Sequence, residues 1–235
     1  MQKLAAALKY LTLWSRFTGF QPPPIMIGAA MIYFPAVGLI LGLFLALLNY
    51  LLAPYLPPEI LSMVLITSLL VSTGGTHLEG VKYTFEDAPT KSPLTETHQN
   101  NIRGFIAIVM VILFKAAAID SMDEKLALSL LLAPVLARWG LLIFAYGYHH
   151  RCEDTSKVIA EQVRFWHLAI ATLGTLALTV YYLGRRGLWI ALSLSLFALL
   201  ARNLLYRLRA NLTHHNFGAI IELGETLCLV LLASL

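Results

Sequence analysis

Tyr33–Leu52 reads YFPAVGLILGLFLALLNYLL and carries no charged side chain. At ~1.5 Å of rise per residue, a helix of this length covers the ~30 Å hydrocarbon thickness of a bilayer. Proline-rich APYLPPE then marks a turn, and a second apolar run returns over Ile60–Thr73. Further runs follow at Gly104–Ile119, Leu126–Tyr146, Phe165–Leu183, Leu188–Tyr206 and Gly218–Leu235. The spacing predicts an all-α polytopic membrane protein with about seven transmembrane helices, arranged as one membrane-embedded domain over residues 1–235.

Composition agrees with that class. The 235 residues are 58% hydrophobic and 13% charged, with a mean hydropathy of +0.73. Soluble domains are about one-quarter charged, so this chain has too little polar surface to meet water on all sides. Cys152 and Cys228 are too far apart and too differently placed to suggest a disulfide framework or a zinc site. The formal charge of +4 reports orientation in a membrane protein and gives no reason to expect nucleic-acid binding. The first residues, MQKLAAALKYLTLWSRF, lack a cleavage site and do not read as a signal peptide. Leu4, Ala7, Leu8 and Leu11 recur at helical spacing among Lys3, Lys9 and Arg16, the pattern of an N-terminal interfacial helix. QPPPIM then breaks any helix, because proline lacks an N–H and disfavours helix before it.

Lys and Arg set the expected threading. With the N-terminus in the cytoplasm, Lys3, Lys9, Arg16, Lys82, Lys91, Arg103, Arg151, Lys157, Arg164, Arg202, Arg207 and Arg209 fall inside, and only Lys125, Arg185 and Arg186 fall outside. Lys115 and Arg138 remain within apolar runs. The same threading puts three polar stretches on the cytoplasmic side: GGTHLEGVKYTFED (Gly74–Asp87), YGYHHRCED (Tyr146–Asp154) and LTHHNFGA (Leu212–Ala219). A transporter would place polar residues toward the bilayer midplane. Here they are expected at one face, as in a membrane enzyme with a water-soluble substrate.

Each stretch has a chemical and a plainer reading. The polar cytoplasmic segment 74–103 carries the main motif. If Leu78–Asp87 is helical, Glu79, Lys82 and Glu86 share a face, and their carboxylates suit Mg²⁺ bridged to a substrate phosphate. Lys82 paired with either carboxylate on a solvated helix is the plainer alternative. His149, His150 and Arg151 suit a phosphate or pyrophosphate, or simply anchor a span end. Glu222 and Glu225 share a helix face inside an apolar run, where ionisable groups are costly and usually face a polar interior. They either pair with Lys115 or Arg138 or serve catalysis, and His214-His215 extend that site or lie at the interface. Arg138 snorkels or reaches an anionic site.

These motifs resemble the cobalamin synthase family, adenosylcobinamide-GDP ribazoletransferase, nearly end to end. YFPAVGLILG resembles its early span, GGTHLEG its GGxHLDG hallmark, and GAIIELGE its C-terminal GAxxELxE signature. His77, Arg138, Glu222 and Glu225 keep family identities. Against the family's HLDGxxDxxDG, Glu79 stands at the first aspartate, Tyr83 at the second and Glu86 at the third, with Asp87 in place of glycine. THQNNIRG stands for DSRxGxxG, HHRCEDTS for YARxxGLG with Arg151 as its counterpart, and THHNFGA for TGDxxGA with His215 at the aspartate.

The resemblance implies a transferase of the bacterial inner membrane that joins adenosylcobinamide-GDP to α-ribazole or its 5′-phosphate with release of GMP. It implies catalytic His77, Arg138, Arg151, Glu222 and Glu225; substrate-binding Lys82, His149, His150 and His215; and Mg²⁺ on Glu79, Glu86 and Asp87. Its partners would be the corrinoid nucleotide, α-ribazole and the lipid bilayer, with room for a homo-oligomer or a complex with other corrinoid enzymes. The alternatives are a family member that binds corrinoid or scaffolds partner enzymes without turnover, and one that transfers a different phospho-alcohol.

Overall fold

Prolines start helices in this protein. Pro24 and Pro58 each occupy the first helical turn, where proline's missing N–H would have no intrahelical partner anyway. QPPPIM, expected to break a helix before it, also starts one at Pro24. The computed structural model describes residues 2–13, 21–86, 102–122, 125–147, 155–208 and 213–234. Among them the order is α1 (Gln2–Leu11), α2 (Pro24–Ala30), a 3-10 turn (Met31–Tyr33), α3 (Phe34–Leu52), α4 (Pro58–Thr73), α5 (Thr76–Glu86), α6 (Ile102–Asp120), α7 (Leu126–Ala145), α8 (Thr155–Glu161), α9 (Phe165–Leu183), α10 (Arg185–Leu208) and α11 (His214–Ala233), with no strand. Six stretches are long and apolar enough to cross a membrane, and the pair α4–α5, bent by 87°, would make a seventh.

The chain is an integral membrane protein built around α7. That helix is almost wholly buried and touches α3, α9, α10 and α11. Lipid tails are as apolar as leucine, so close van der Waals contact has to hold these helices together. Gly38 and Gly42, one turn apart on α3, provide it. A Cβ on Gly38 would stand 2.4 Å from the Pro134 carbonyl oxygen, and one on Gly42 would stand 2.5 Å from that of Leu131. The outer helices α6, α9 and α10 turn large apolar residues outward, such as Phe114, Leu173 and Leu196, as lipid contact requires.

Contacts between chain ends define one end of the bundle. Arg202 near the end of α10 donates to the Tyr146 carbonyl beyond α7 at 2.6 Å. α5 packs on α11 and on α6, and α2 packs on α8. The described part of the polar segment 74–103 is thus mostly helix rather than loop. The expected interfacial helix α1 exists, but Ala6, Ala7 and Leu11 bury themselves against α2, the 3-10 turn and α3, and Tyr10 stacks on Phe34 with ring centroids 5.7 Å apart. Its apolar face meets protein.

Candidate active site

Two glycines aim the main motif. Gly74 and Gly75 have φ of 68° and 69°, a left-handed conformation that L side chains resist. Gly74 caps α4, and the chain turns sharply into α5. α5 then lies against the first half of α11. A Cβ on Gly80 would stand 2.4 Å from the His215 carbonyl oxygen and 2.8 Å from the Ala219 nitrogen, and one on Gly218 would stand 3.2 Å from the Cα of His77. Gly80 is required for that approach, and Gly218 leaves almost no room for a side chain opposite it. Asn216 completes the joint: its side chain accepts the Thr213 backbone N–H at 2.9 Å and donates to Thr84 Oγ1 at 2.9 Å. Val81, Val111 and Ala219 form a small apolar seam that brings in α6.

Beneath α5 lies a buried ionic quartet. Lys115 of α6 donates to Glu222 at 2.5 Å and to Glu225 at 3.0 Å. Arg138 of α7 donates to the other oxygen of Glu225 and, at 3.3 Å, to the Pro134 carbonyl. The four side chains are 3% exposed or less. Two cations balance two anions, the condition under which ionised groups survive at this depth. Arg138 lies roughly 10 Å and Glu225 roughly 16 Å from the site end of their helices, counted at 1.5 Å per residue. His77, itself 4% exposed, sits within the fields of Arg138, Glu225 and Lys115. Its Nδ1 has no hydrogen-bond partner among the described residues, and neither do Nε and Nη2 of Arg138.

The outer face of α5 is more open. Glu79 is exposed. Lys82 reaches Glu86 at 3.9 Å and lies 5.4 Å from the centre of the Tyr83 ring. Glu86 tucks against Gly104 at the start of α6, and its buried Oε1 accepts no hydrogen bond from the described residues. Tyr83 packs on His215 with centroids 4.4 Å apart, and His215 packs on His214 at 4.0 Å.

Several expectations can now be placed. The face shared by Glu79, Lys82 and Glu86 exists because α5 is helical, and Lys82 pairs with Glu86, as the plainer reading has it. Glu222 and Glu225 pair with Lys115 and Arg138 rather than standing at a water-facing mouth. Helical register turns positions 222 and 225 toward α6 and α7, so the expectation that polar groups gather only at the rim gives way to a rim plus a buried core. Asp87, His149, His150 and Arg151 lie outside the described residues. Among the described residues, no three His, Cys, Asp or Glu side chains converge as a metal cage. Sequence reasoning passed over Gly80, Gly218, Thr84 and Asn216. The small residue three positions after His77 was the available signal for the first of these.

Fold and site together define a polytopic helical membrane protein in which two signature stretches, far apart in sequence, close on each other over an ion-paired core. The family model for cobalamin-5-phosphate synthase matches residues 3–87 and 102–233, and the chain belongs to that family. It is 31% identical over 251 residues to an adenosylcobinamide-GDP ribazoletransferase of Desulfitobacterium hafniense (strain Y51), covering 98% of this chain and 96% of the relative. A protein of the same name from Stutzerimonas stutzeri (strain A1501) is 30% identical over 244 residues, covering 99% and 98%. One from Geotalea daltonii is 27% identical over 216 residues, covering 89% and 87%. No solved structure matches the chain.

Proposed function

We propose that this chain is an adenosylcobinamide-GDP ribazoletransferase and that the open face of α5, where it lies on α11, is its reaction site. The observation that carries the reading is the closure of GGTHLEG on the helix bearing GAIIELGE, through Gly80 and Gly218, in a chain matched by the family over nearly its whole length. In the reaction, a ribose hydroxyl oxygen of α-ribazole or its 5′-phosphate attacks the corrinoid-side phosphorus of the pyrophosphate. A new P–O bond forms, the bond to GMP breaks, and the hydroxyl proton leaves to a base.

The residues present divide by accessibility. Lys82 and His215, partly exposed on facing helices, would hold phosphate oxygens, and the imidazole of His215 would take up the hydroxyl proton. His149, His150 and Arg151 belong to the same proposal as further phosphate contacts. Glu222, Glu225 and Arg138 act as positioning residues, forming the ion-paired floor under α5. A magnesium reading fits the donor chemistry. Glu79 and Glu86 offer hard oxygens on one helix face, one of them Oε1 of Glu86, which accepts no hydrogen bond among the described residues, and magnesium is commonly held by one or two carboxylates together with substrate phosphates. Glu79, Glu86 and Asp87 would hold it, and the ion when bound would neutralise charge developing on the pyrophosphate.

The cation asymmetry supports the further reading that the site end faces the cytoplasm across a bacterial inner membrane. The test is turnover by the purified full-length protein with adenosylcobinamide-GDP, α-ribazole and Mg²⁺. A corrinoid product and GMP in equal amounts are expected, strongly reduced in H215A. A correctly folded protein that forms neither product overturns the reading.

A further inference from the structure

The side of the bundle between α6 and α10 carries a cleft floored by α11. It has two lobes. The larger, about 960 Å³, lies between α10 and α11; the smaller, about 520 Å³, lies between α6 and α11. Phe197, Leu223 and Leu227 line both, so they mark the divide between the lobes, and Phe85 of α5 closes both at the site end. The walls are almost entirely apolar and belong to membrane-spanning helices, so the bilayer itself supplies the surroundings of this cleft.

Among the described residues, charge enters only at one end. Arg207 lines the larger lobe and Arg103 the smaller, and among the described residues no carboxylate lines either. Both arginines are exposed. Both lie at the site end of the bundle, since α10 finishes there and α6 begins there. The neighbouring carboxylate of Glu86 is already paired with Lys82. Depth is also informative. The larger lobe follows α10 from Arg207 to Ser193, roughly 20 Å at 1.5 Å per residue, and the smaller follows α6 from Arg103 to Phe114, roughly 16 Å. One leaflet of hydrocarbon is about 15 Å deep.

We propose that this cleft is a binding site for an anionic diacyl phospholipid, with its headgroup phosphate held by Arg103 and Arg207 and one acyl chain in each lobe. A transmembrane helix of a second copy fits less well. It is a cylinder of about 10–12 Å that needs one trough, and helix pairs in lipid approach through small residues, whereas a ridge of Phe and Leu divides this cleft. The larger lobe borders the α5–α11 joint, since Thr84 and Ala219 line it, and the proposal does not depend on the transferase reading. The site would fasten the outer end of α5, through Phe85, to the lipid around it.

The experiment is native mass spectrometry of the full-length protein in detergent, titrated with phosphatidylglycerol or phosphatidylcholine of identical acyl chains. A basic residue near an anionic membrane surface contributes ~1 kcal/mol, which is about fivefold in affinity. Two arginines therefore give phosphatidylglycerol a preference of about twenty-five-fold. R103Q/R207Q brings phosphatidylglycerol down to the level of phosphatidylcholine, and L200W, which fills the larger lobe, weakens both lipids alike. Equal binding of the two lipids by the unmodified protein overturns the proposal. So does a preference that survives R103Q/R207Q, binding that ignores L200W, or a stable dimer cross-linked through L200C, which would mean that a second copy covers the cleft.

Discussion

Replacing Lys115 by methionine leaves Glu222 and Glu225 facing Arg138 alone, one negative charge in excess within a site that water does not reach. Replacing Glu222 by glutamine leaves one positive charge in excess. Stranding a buried charge by removing its partner costs about 3–5 kcal/mol. For a chain of this size that corresponds to a melting temperature lower by roughly 6–20 °C. The double variant K115M/E222Q removes one charge of each sign and leaves the Arg138–Glu225 pair intact. It should recover much of the loss, with a coupling energy of about 2–3 kcal/mol between positions 115 and 222. The assay is thermal unfolding of the purified protein in one detergent, followed by fluorescence-detected size exclusion, for the parent, both single variants and the double variant. If the double variant loses as much as the two single variants together, Lys115 and Glu222 are independent and the quartet is not a charge-balanced unit.

Three further outcomes follow from the same coordinates. G80A and G38A place a Cβ equally close to a carbonyl oxygen, 2.4 Å in each case, and overpacking of this kind costs ~1–3 kcal/mol; G80A should lower turnover by pushing α5 off α11, while G38A should lower the melting temperature and leave the turnover of the folded fraction intact. Stripping divalent cations with a chelator should bring turnover to background and added Mg²⁺ should restore it, with E86Q raising the Mg²⁺ concentration needed at half-maximal rate. In a background with Cys152 and Cys228 replaced by serine, an impermeant maleimide should label K125C in intact cells and K82C only after the membrane is opened; the reverse pattern inverts the assigned orientation.

The spanning helices were legible because uninterrupted apolar runs report length directly. Phe165–Leu183 begins and ends where the sequence places it. The short helices α2 and α8, each of 7 residues, were not. They are too brief for a periodic pattern, and the prolines ahead of α2 signal a start as readily as a stop. In the site, the spacing of Glu79, Lys82 and Glu86 announced a helical face, and the lone charges at Lys115, Arg138, Glu222 and Glu225 announced partners. The two candidate cations were named from the sequence, but which carboxylate meets which of them is a matter of tertiary register between helices, at separations of 87, 107 and 110 positions, with no local trace. Tyr83 and His215, which both stand where the family pattern has aspartate, prove to be in ring contact, a pairing that no reading along the chain alone would show.

The quartet also bears on the order in which the bundle is made. Ribosomes deliver α6 and α7 before α11, so Lys115 and Arg138 enter the membrane ahead of both carboxylates that neutralise them. Each cation carries an insertion cost of up to ~3 kcal/mol, which persists until α11 arrives. α11 is therefore the keystone of assembly. Its docking discharges two stranded cations and at the same moment supplies the surface on which α5 comes to rest, so the reaction site is completed only when the final span is in place.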